Sequence, residues 1–347
     1  MPVVSYRRDA CSTFGGRMQI LVLGMHRSGT SAVTRILNLG GAHLGKPHEL
    51  IVAGPDNIKG FWERKDVVHL NDRVLDAVGL KWDNASAYNT GLFESTDLSR
   101  ARRTGFQPVR CRTDLSRARA RALRILDRLD QRGSWAIKDP RLCLTLPFWR
   151  PLLNNPLCIH VFREPAEVAR SLAKRDGLPP PVAVALWEVY NRVMLANSAG
   201  LPCFAIHYNE LLADHTRVTR QLFAWCQAHG ARGLGEGAEG EIAAFMDRGL
   251  NHSSRPRGAP ALRLSPEQAD LAAALRQGDY EAERNAPVSE AALKILYEYD
   301  AQCARNWVPQ RWWRLGRRLC ARLWPLEPKT AAPLEPVSSA RLRVPVR

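Results

Sequence analysis

A chain of 347 residues with 45% hydrophobic residues and a mean hydropathy of -0.28 is long enough for one large α/β domain and reads as globular. No run of about 18 apolar residues occurs, so no transmembrane helix is expected. The formal charge of +16 invites a nucleic-acid reading, but residues 1–17, 97–121 and 309–347 carry +2, +6 and +7 of it. The body is near neutral, so the basicity belongs to appendages and no nucleic-acid partner is expected.

Residues 1–17 hold Arg7, Arg8, Asp9 and Arg17 where a signal peptide would have an apolar core, so secretion by that route is not expected. Met18 directly precedes the first apolar run, and residues 1–17 are expected to form a disordered extension. Ile20, Leu21, Val22 and Leu23 suit a strand buried on both faces of a parallel sheet. A polar loop, GMHRSG at 24–29, turns the chain, and Val33, Ile36, Leu37 and Leu39 then recur at helical spacing from Thr30 onward. Strand, Gly-bounded loop and helix together make an anion cradle, because the free N–H groups and positive dipole end of the helix point back at the loop.

The loop fits G-x-x-x-x-G-K-[ST] at Gly24, Gly29 and Ser31, but Thr30 stands where that motif has lysine, and the cation is Arg27 within the loop. This argues against an NTP-hydrolysing site. Gly40 and Gly41 stop the helix, and FWERKDVVHLND at 61–72 follows, with Val67, Val68 and Leu70 expected to pack. The heptapeptide TDLSRAR occurs at 96–102 and again at 113–119, which reads as a duplicated surface insert over 96–119. Helical spacing resumes through Leu123, Ile125, Leu126 and Leu129.

A second strand is expected at 134–139, stopped by Pro140, which leaves Lys138, Asp139 and Arg141 at a strand's carboxyl end. Ligands of open parallel sheets bind at that edge, so these three are candidate substrate residues. LCIHVF at 157–162 predicts a third strand, followed by Arg163 and a helix opened by Pro165, with Ser171 eight residues beyond Arg163. A fourth strand is expected at 202–208, preceded by a helix whose Trp187, Tyr190 and Met194 read as a core stripe. Eight cysteines are scattered without a C-x-x-C pair, so neither zinc nor a redox motif is expected. Cys158 and Cys203 lie in apolar segments where a small buried thiol is expected, and a reducing cytoplasm fits.

R-S-G-T-S after a strand resembles the 5′-phosphosulfate loop of sulfotransferases that use 3′-phosphoadenosine 5′-phosphosulfate (PAPS), in a bacterial branch carrying arginine at this place. Three further segments carry the same resemblance. Asn57, Gly60, Phe61, Trp62 and Glu63 match N-x-x-G-[FY]-W-E, REPAEVARS at 163–171 matches R-x-P-x-x-x-x-x-S, and Tyr208 to Leu212 resembles Y-E-x-L. The family's late R-K-G-x-x-G-x-W form is absent, and Arg255 and Arg257 stand in its place.

The resemblance covers 18–307 apart from the insert and implies a three-layer α/β/α sandwich with a parallel sheet, a sulfotransferase fold like that of P-loop NTPases. It implies PAPS as donor without a metal, and a hydroxyl acceptor such as a saccharide, another small molecule or a lipid. Arg27, Ser28, Gly29, Thr30 and Ser31 would hold the sulfated end of the donor. Arg163 and Ser171 would grip its 3′-phosphate, with Arg255 and Arg257 closing over the nucleotide. Arg27 would stabilise developing charge and Glu63 would be the general base, with Asp66 and His69 as alternatives.

Two other readings are weighed: a P-loop-type kinase of a small molecule or nucleoside, and a non-catalytic nucleic-acid or membrane-surface binder driven by the basic tails. Residues 308–324 mix Trp and Leu with Arg, and an amphipathic helix lying on anionic lipid or a helix docked on the domain are both open. The expected location is therefore the cytoplasm, with peripheral membrane contact as an option. From Pro325 onward the composition predicts disorder.

Overall fold

The computed structural model describes residues 18–54, 57–88, 115–154, 156–247 and 262–305. Strands β1 (Gln19–Leu23), β2 (Trp135–Lys138), β3 (Leu157–Phe162) and β4 (Cys203–His207) pair in parallel in the order β2-β1-β3-β4. Parallel neighbours need crossovers, and helices supply them. The helices are α1 (Thr30–Leu39), α2 (Lys65–Ala77), α3 (Leu115–Asp130), α4 (Leu142–Trp149), α5 (Pro165–Asp176) and α6 (Pro180–Asn197), then α7 (Tyr208–Ala213), α8 (His215–Ala228), α9 (Glu239–Asp247), α10 (Pro266–Gln277) and α11 (Glu290–Arg305).

Alternation along each strand divides the core into two faces. Ile20, Val22, Leu157, Ile159 and Val161 pack against α1, α8 and α9, while Leu21, Leu23, Cys158 and Phe162 pack against α2 to α6, α10 and α11. Both faces of the sheet are therefore covered, which is why β1 reads as one unbroken apolar run. The fold is α/β, a parallel sheet between two helical layers. Among the described residues no helix is long and apolar enough to cross a membrane.

Helix α6 is apolar almost all round, and its Trp187, Tyr190 and Met194 are 1%, 0% and 0% exposed, so the spacing that predicts a core stripe describes a helix buried on all sides. It also ties in the C-terminal helices. Glu188, 0% exposed, accepts from Ser289 N at 2.7 Å, Ser289 Oγ at 2.9 Å, Gln268 Nε2 at 3.1 Å and Arg192 Nε at 3.3 Å. A buried carboxylate satisfied four times fixes α10 and α11 to the same core.

The second TDLSRAR copy does not stay outside the fold. Its residues 115–119 form the first turn of α3, and Ala118 begins the buried stripe Ala118, Ala122, Ile125, Leu126 and Leu129. The insert expected to run to residue 119 thus ends no later than residue 114, because helical spacing already holds from Ala118. The rest of the insert, residues 1–17, Arg255, Arg257 and the tail from residue 306 lie outside the described residues.

A second buried polar centre links α2 to α4 and β2. Asn71, 0% exposed, donates from Nδ2 to Asp139 Oδ2 at 2.9 Å and accepts at Oδ1 from Trp149 Nε1 at 2.7 Å and Thr145 Oγ1 at 2.9 Å. Leaving such groups without partners costs about 1–3 kcal/mol each. Asn71→Ala is therefore expected to lower unfolding stability by roughly 3 kcal/mol in urea titrations, whereas His69→Ala on the exposed face of α2 should change it by less than about 0.5 kcal/mol. Equal effects of the two substitutions would show that the Asn71 bonds carry no net stability.

Candidate active site

Because the four strands are parallel, their carboxyl ends meet at one edge, and each delivers a polar group there. β1 runs into the loop 24–29, β2 ends in Lys138, β3 is followed by Arg163, and β4 by Tyr208. The loop turns tightly. Gly24 has no room for a side chain, since a Cβ there would lie 2.5 Å from Val161 O. Arg27 takes a left-handed backbone at φ 68, and Gly29 follows at φ 92 with the Tyr208 ring against its α-carbon. Gly29 is the N-cap of α1 and offers no capping side chain, so the first-turn amides of Thr30 and Ser31 are not taken by a cap. Ser28 is 1% exposed, and its Oγ finds no partner among the described residues. The loop is thus a cradle with donors to spare.

Beneath the cradle lies a cluster spanning three elements. Lys138 Nζ is 2.5 Å from Glu63 Oε1 and donates to Ser31 Oγ at 3.1 Å, and Asn57 Nδ2 lies 3.2 Å from the same hydroxyl. Lys138 is 2% exposed and Glu63 8%. Burial pushes the Glu63 carboxyl above its ordinary range; the Lys138 ammonium opposes that shift, and the charge of Asp139 adds to it. Lys138, expected among substrate residues, reaches the first turn of α1 through Ser31.

The alternatives to Glu63 are placed poorly for proton transfer. Asp66 accepts from Arg64 Nε at 3.0 Å, Arg64 Nη2 at 2.8 Å and Arg128 Nη2 at 3.0 Å. Burial favours its neutral form, but these arginines outweigh burial and hold it below the usual carboxylate range. His69 is exposed. Trp62, at φ 57, is taken up in packing: its Nε1 donates to Lys59 O at 2.9 Å and its ring carries the Arg35 guanidinium at 4.4 Å.

Across the cradle, Arg27 Nε donates to Ser171 Oγ at 2.7 Å, and Arg163 Nη1 donates to Arg27 O at 3.0 Å. Arg27 thus touches both Arg163 and Ser171, tying the loop to α5 and to the residue that precedes it by two positions. Arg163 is further held by Glu167 Oε2 at 2.8 Å and by the Tyr208 ring at 4.9 Å, while its own carbonyl accepts from Trp187 Nε1 at 3.0 Å.

Asp139 faces inward, a correction to its expected place beside the substrate. It is 0% exposed and holds Arg141, accepting from Arg141 N at 3.1 Å and Nη1 at 3.0 Å in addition to Asn71. Arg141 pairs outward with Asp72 at 2.6 Å, at the rim of a cavity of about 250 Å³ lined by Asp72, Asp76, Lys81, Trp82 and Asp83 among others. His26, inside the loop, packs on Trp82 with ring centroids 4.6 Å apart. Burial first, then the charges of Arg175, Arg141, Lys138 and Arg27, lower its pKa well below the ordinary histidine value.

Sequence reasoning did not single out His26, Asn71, Asp72 or Trp82. Asn71 had a signal: it falls on the buried stripe of α2 with Val67, Val74 and Leu75, and a polar residue there must have a buried partner. For His26, Asp72 and Trp82 no local signal exists.

The family model described as "Sulfotransferase family" matches residues 19–229, from β1 to the end of α8. Among solved structures, the sulfotransferase domain of the Synechococcus PCC 7002 olefin synthase is similar at 17% identity and a TM-score of 0.37, over 82% of this chain and 96% of that one. No curated protein matches at a significant level. With more than half of its length matched, including the cradle, Lys138, Arg163 and Ser171, the chain belongs to the sulfotransferase family.

Proposed function

We propose that the chain transfers a sulfuryl group from PAPS to a hydroxyl acceptor. The observation that carries this reading is the cluster of Lys138, Ser31 and Glu63 at the open first turn of α1, which joins a cation, a hydroxyl and a buried carboxylate at an anion cradle. PAPS, bound there, supplies the activated sulfuryl group. Arg27, Lys138 and the amides of residues 28–31 stabilise the charge that develops as the group transfers, with little covalent work by the protein. Glu63 accepts the acceptor's proton on a carboxylate oxygen, and its elevated pKa brings it nearer to working pH. Arg163 and Ser171 hold a 3′-phosphate, and their link to Arg27 makes recognition of the two ends of the donor one event.

The acceptor enters from the side of Arg141 and Trp82, where an aromatic ring among carboxylates suits a polyhydroxyl compound such as a saccharide. The catalytic unit is residues 18–307, since α10 and α11 are bonded to α6. We further propose that it works in the cytoplasm, with residues 308–324 as a peripheral membrane contact.

Calorimetry in the presence of a chelator tests the donor. Adenosine 3′,5′-bisphosphate is expected to bind at least about tenfold more tightly than AMP, given roughly 1.5–3 kcal/mol for a charge-assisted hydrogen bond, and Arg163→Ala should erase the difference. Equal affinities, or tighter binding of ATP that requires Mg²⁺, would hand the cradle to a kinase.

A second test concerns the base. Glu63→Gln is expected to slow turnover by about 10² to 10⁴ with bisphosphate affinity unchanged. A base works deprotonated, so wild-type kcat/KM should fall as pH drops through a pKa above the ordinary glutamate value. Lys138→Met should move that acid limb higher still, because burial remains and the opposing cation is gone. Retention of more than half the activity in Glu63→Gln would remove Glu63 from the reaction.

A further inference from the structure

Cys158 on β3 and Cys203 on β4 are register partners across a parallel pair. Both side chains fall on the α6 side of the sheet, Cys158 at 0% exposed and Cys203 half-buried on the edge strand. Neither is in a disulfide, and the register sets the two side chains next to each other on that face. Neighbouring strands lie about 4.8 Å apart, inside the roughly 4.4–6.8 Å between α-carbons that a disulfide spans. His160, two residues along β3 and so on the same face, completes the group, with its Nε2 3.0 Å from Ser198 Oγ. A pair that reads from sequence as two separate packing thiols is thus a prealigned dithiol beside an imidazole.

We propose that Cys203 and Cys158 form a hydroperoxide-reactive dithiol that closes to a disulfide between β3 and the edge strand β4. Cys203 is the attacking sulfur because it is the one solvent can reach. As a thiol it donates toward Leu201 O at 3.3 Å. The neighbouring Cys158 thiol, opposed by burial and reinforced by His160, holds Cys203 below the ordinary thiol range, while the neighbouring Cys203 and burial push Cys158 up.

The chemistry balances with a hydroperoxide as the two-electron oxidant. The Cys203 thiolate attacks the terminal peroxide oxygen, the O–O bond breaks, and the leaving oxide takes a proton to give water or an alcohol, leaving a sulfenic acid on Cys203. The Cys158 sulfur then displaces hydroxide from Cys203, and its thiol proton joins that hydroxide as water. A resolving thiol on the register partner closes the bond before Cys203 climbs further up the oxidation ladder. The pair sits near the amino ends of β3 and β4, the opposite edge of the sheet from the cradle, so this is a site separate from sulfuryl transfer.

The test uses the full-length reduced protein and hydrogen peroxide. After an equimolar pulse and alkylation, non-reducing peptide mapping is expected to give the Cys158–Cys203 cross-link as the main product, with Cys143 and Cys226 still reduced; burial pushes both of those thiols up to about 12. Iodoacetamide labelling of Cys203 should slow less than about threefold between pH 8 and pH 6, whereas an ordinary thiol slows by roughly a hundredfold. In Cys158→Ala the cross-link is lost and dimedone traps the sulfenic acid on Cys203. A wild-type map without the cross-link, or a Cys203 rate that falls with pH like an ordinary thiol, overturns the proposal, and both readouts stand even if Cys158→Ala does not fold.

Discussion

Parallel pairing of β1 with β2 and β3 is the constraint on which the site depends. It sets Val22 opposite Lys138 and Leu23 opposite His160, so the last residue of each strand is fixed relative to the start of α1. Lys138 shares a face with Ala136, the face that packs on α1, and this is what lets its ammonium reach Ser31. A one-residue slip of β2 would turn Lys138 into the layer of α2 to α6 and bring Ile137 under the cradle. The register is protected by burial on both faces, each fully buried aliphatic side chain contributing about 1.5–3 kcal/mol. Core packing and site geometry are therefore one requirement.

The Lys138–Glu63 pair shows what that placement costs and what it does. Taking two charges out of water is expensive, and a buried pair often does no more than break even against apolar residues of the same shape. Under the proposed reading the pair has a chemical use: Thr30 leaves the loop without the usual lysine, and β2 would add a second cation beside Arg27 from outside the loop. The carboxylate that neutralises it is also the one whose affinity for a proton is raised by burial. Breaking the pair by removing one partner leaves a buried charge, worth about 3–5 kcal/mol, unless Glu63 takes up a proton.

Much of this was legible locally. The four apolar runs, the helical stripe of α1 and the Pro-opened α5 all follow from residue type and spacing, whereas only the family resemblance groups Arg27 with Arg163 and Ser171, and it does not predict their contact. What spacing could not give was long-range choice of partner. Nothing near Lys138 says that it meets a glutamate 75 positions away, and nothing near Asp139 says that Asn71 will turn it inward. The same limit separates two buried thiols from a register pair: Cys158 and Cys203 become neighbours only once β3 and β4 are known to pair in that register. The repeat misled in a different way, because the second TDLSRAR is identical to the first, yet only its context, with Ala122 and Ile125 following, puts it in a helix.

The near-neutral body in the sequence has a counterpart in the cations at the sheet edge. Lys138 is matched by Glu63, Arg141 by Asp139 and Asp72, Arg163 by Glu167, and Arg175 by Asp176, while His26 gives up its charge altogether. An anion entering this edge therefore exchanges for carboxylates already in place rather than meeting bare positive charge. The exchange is easiest where the carboxylate can reach water. The Glu167 side chain is 21% exposed and can swing outward, whereas Asp139 at 0% cannot leave Arg141 without losing Asn71 as well. Of these four cations Arg163 is thus the one whose counterion is most easily displaced, and Arg141 is held as a fixed wall. Under the proposed reading an anion would bind through the groups whose counterions are mobile, while those whose counterions are locked would keep the shape of the edge.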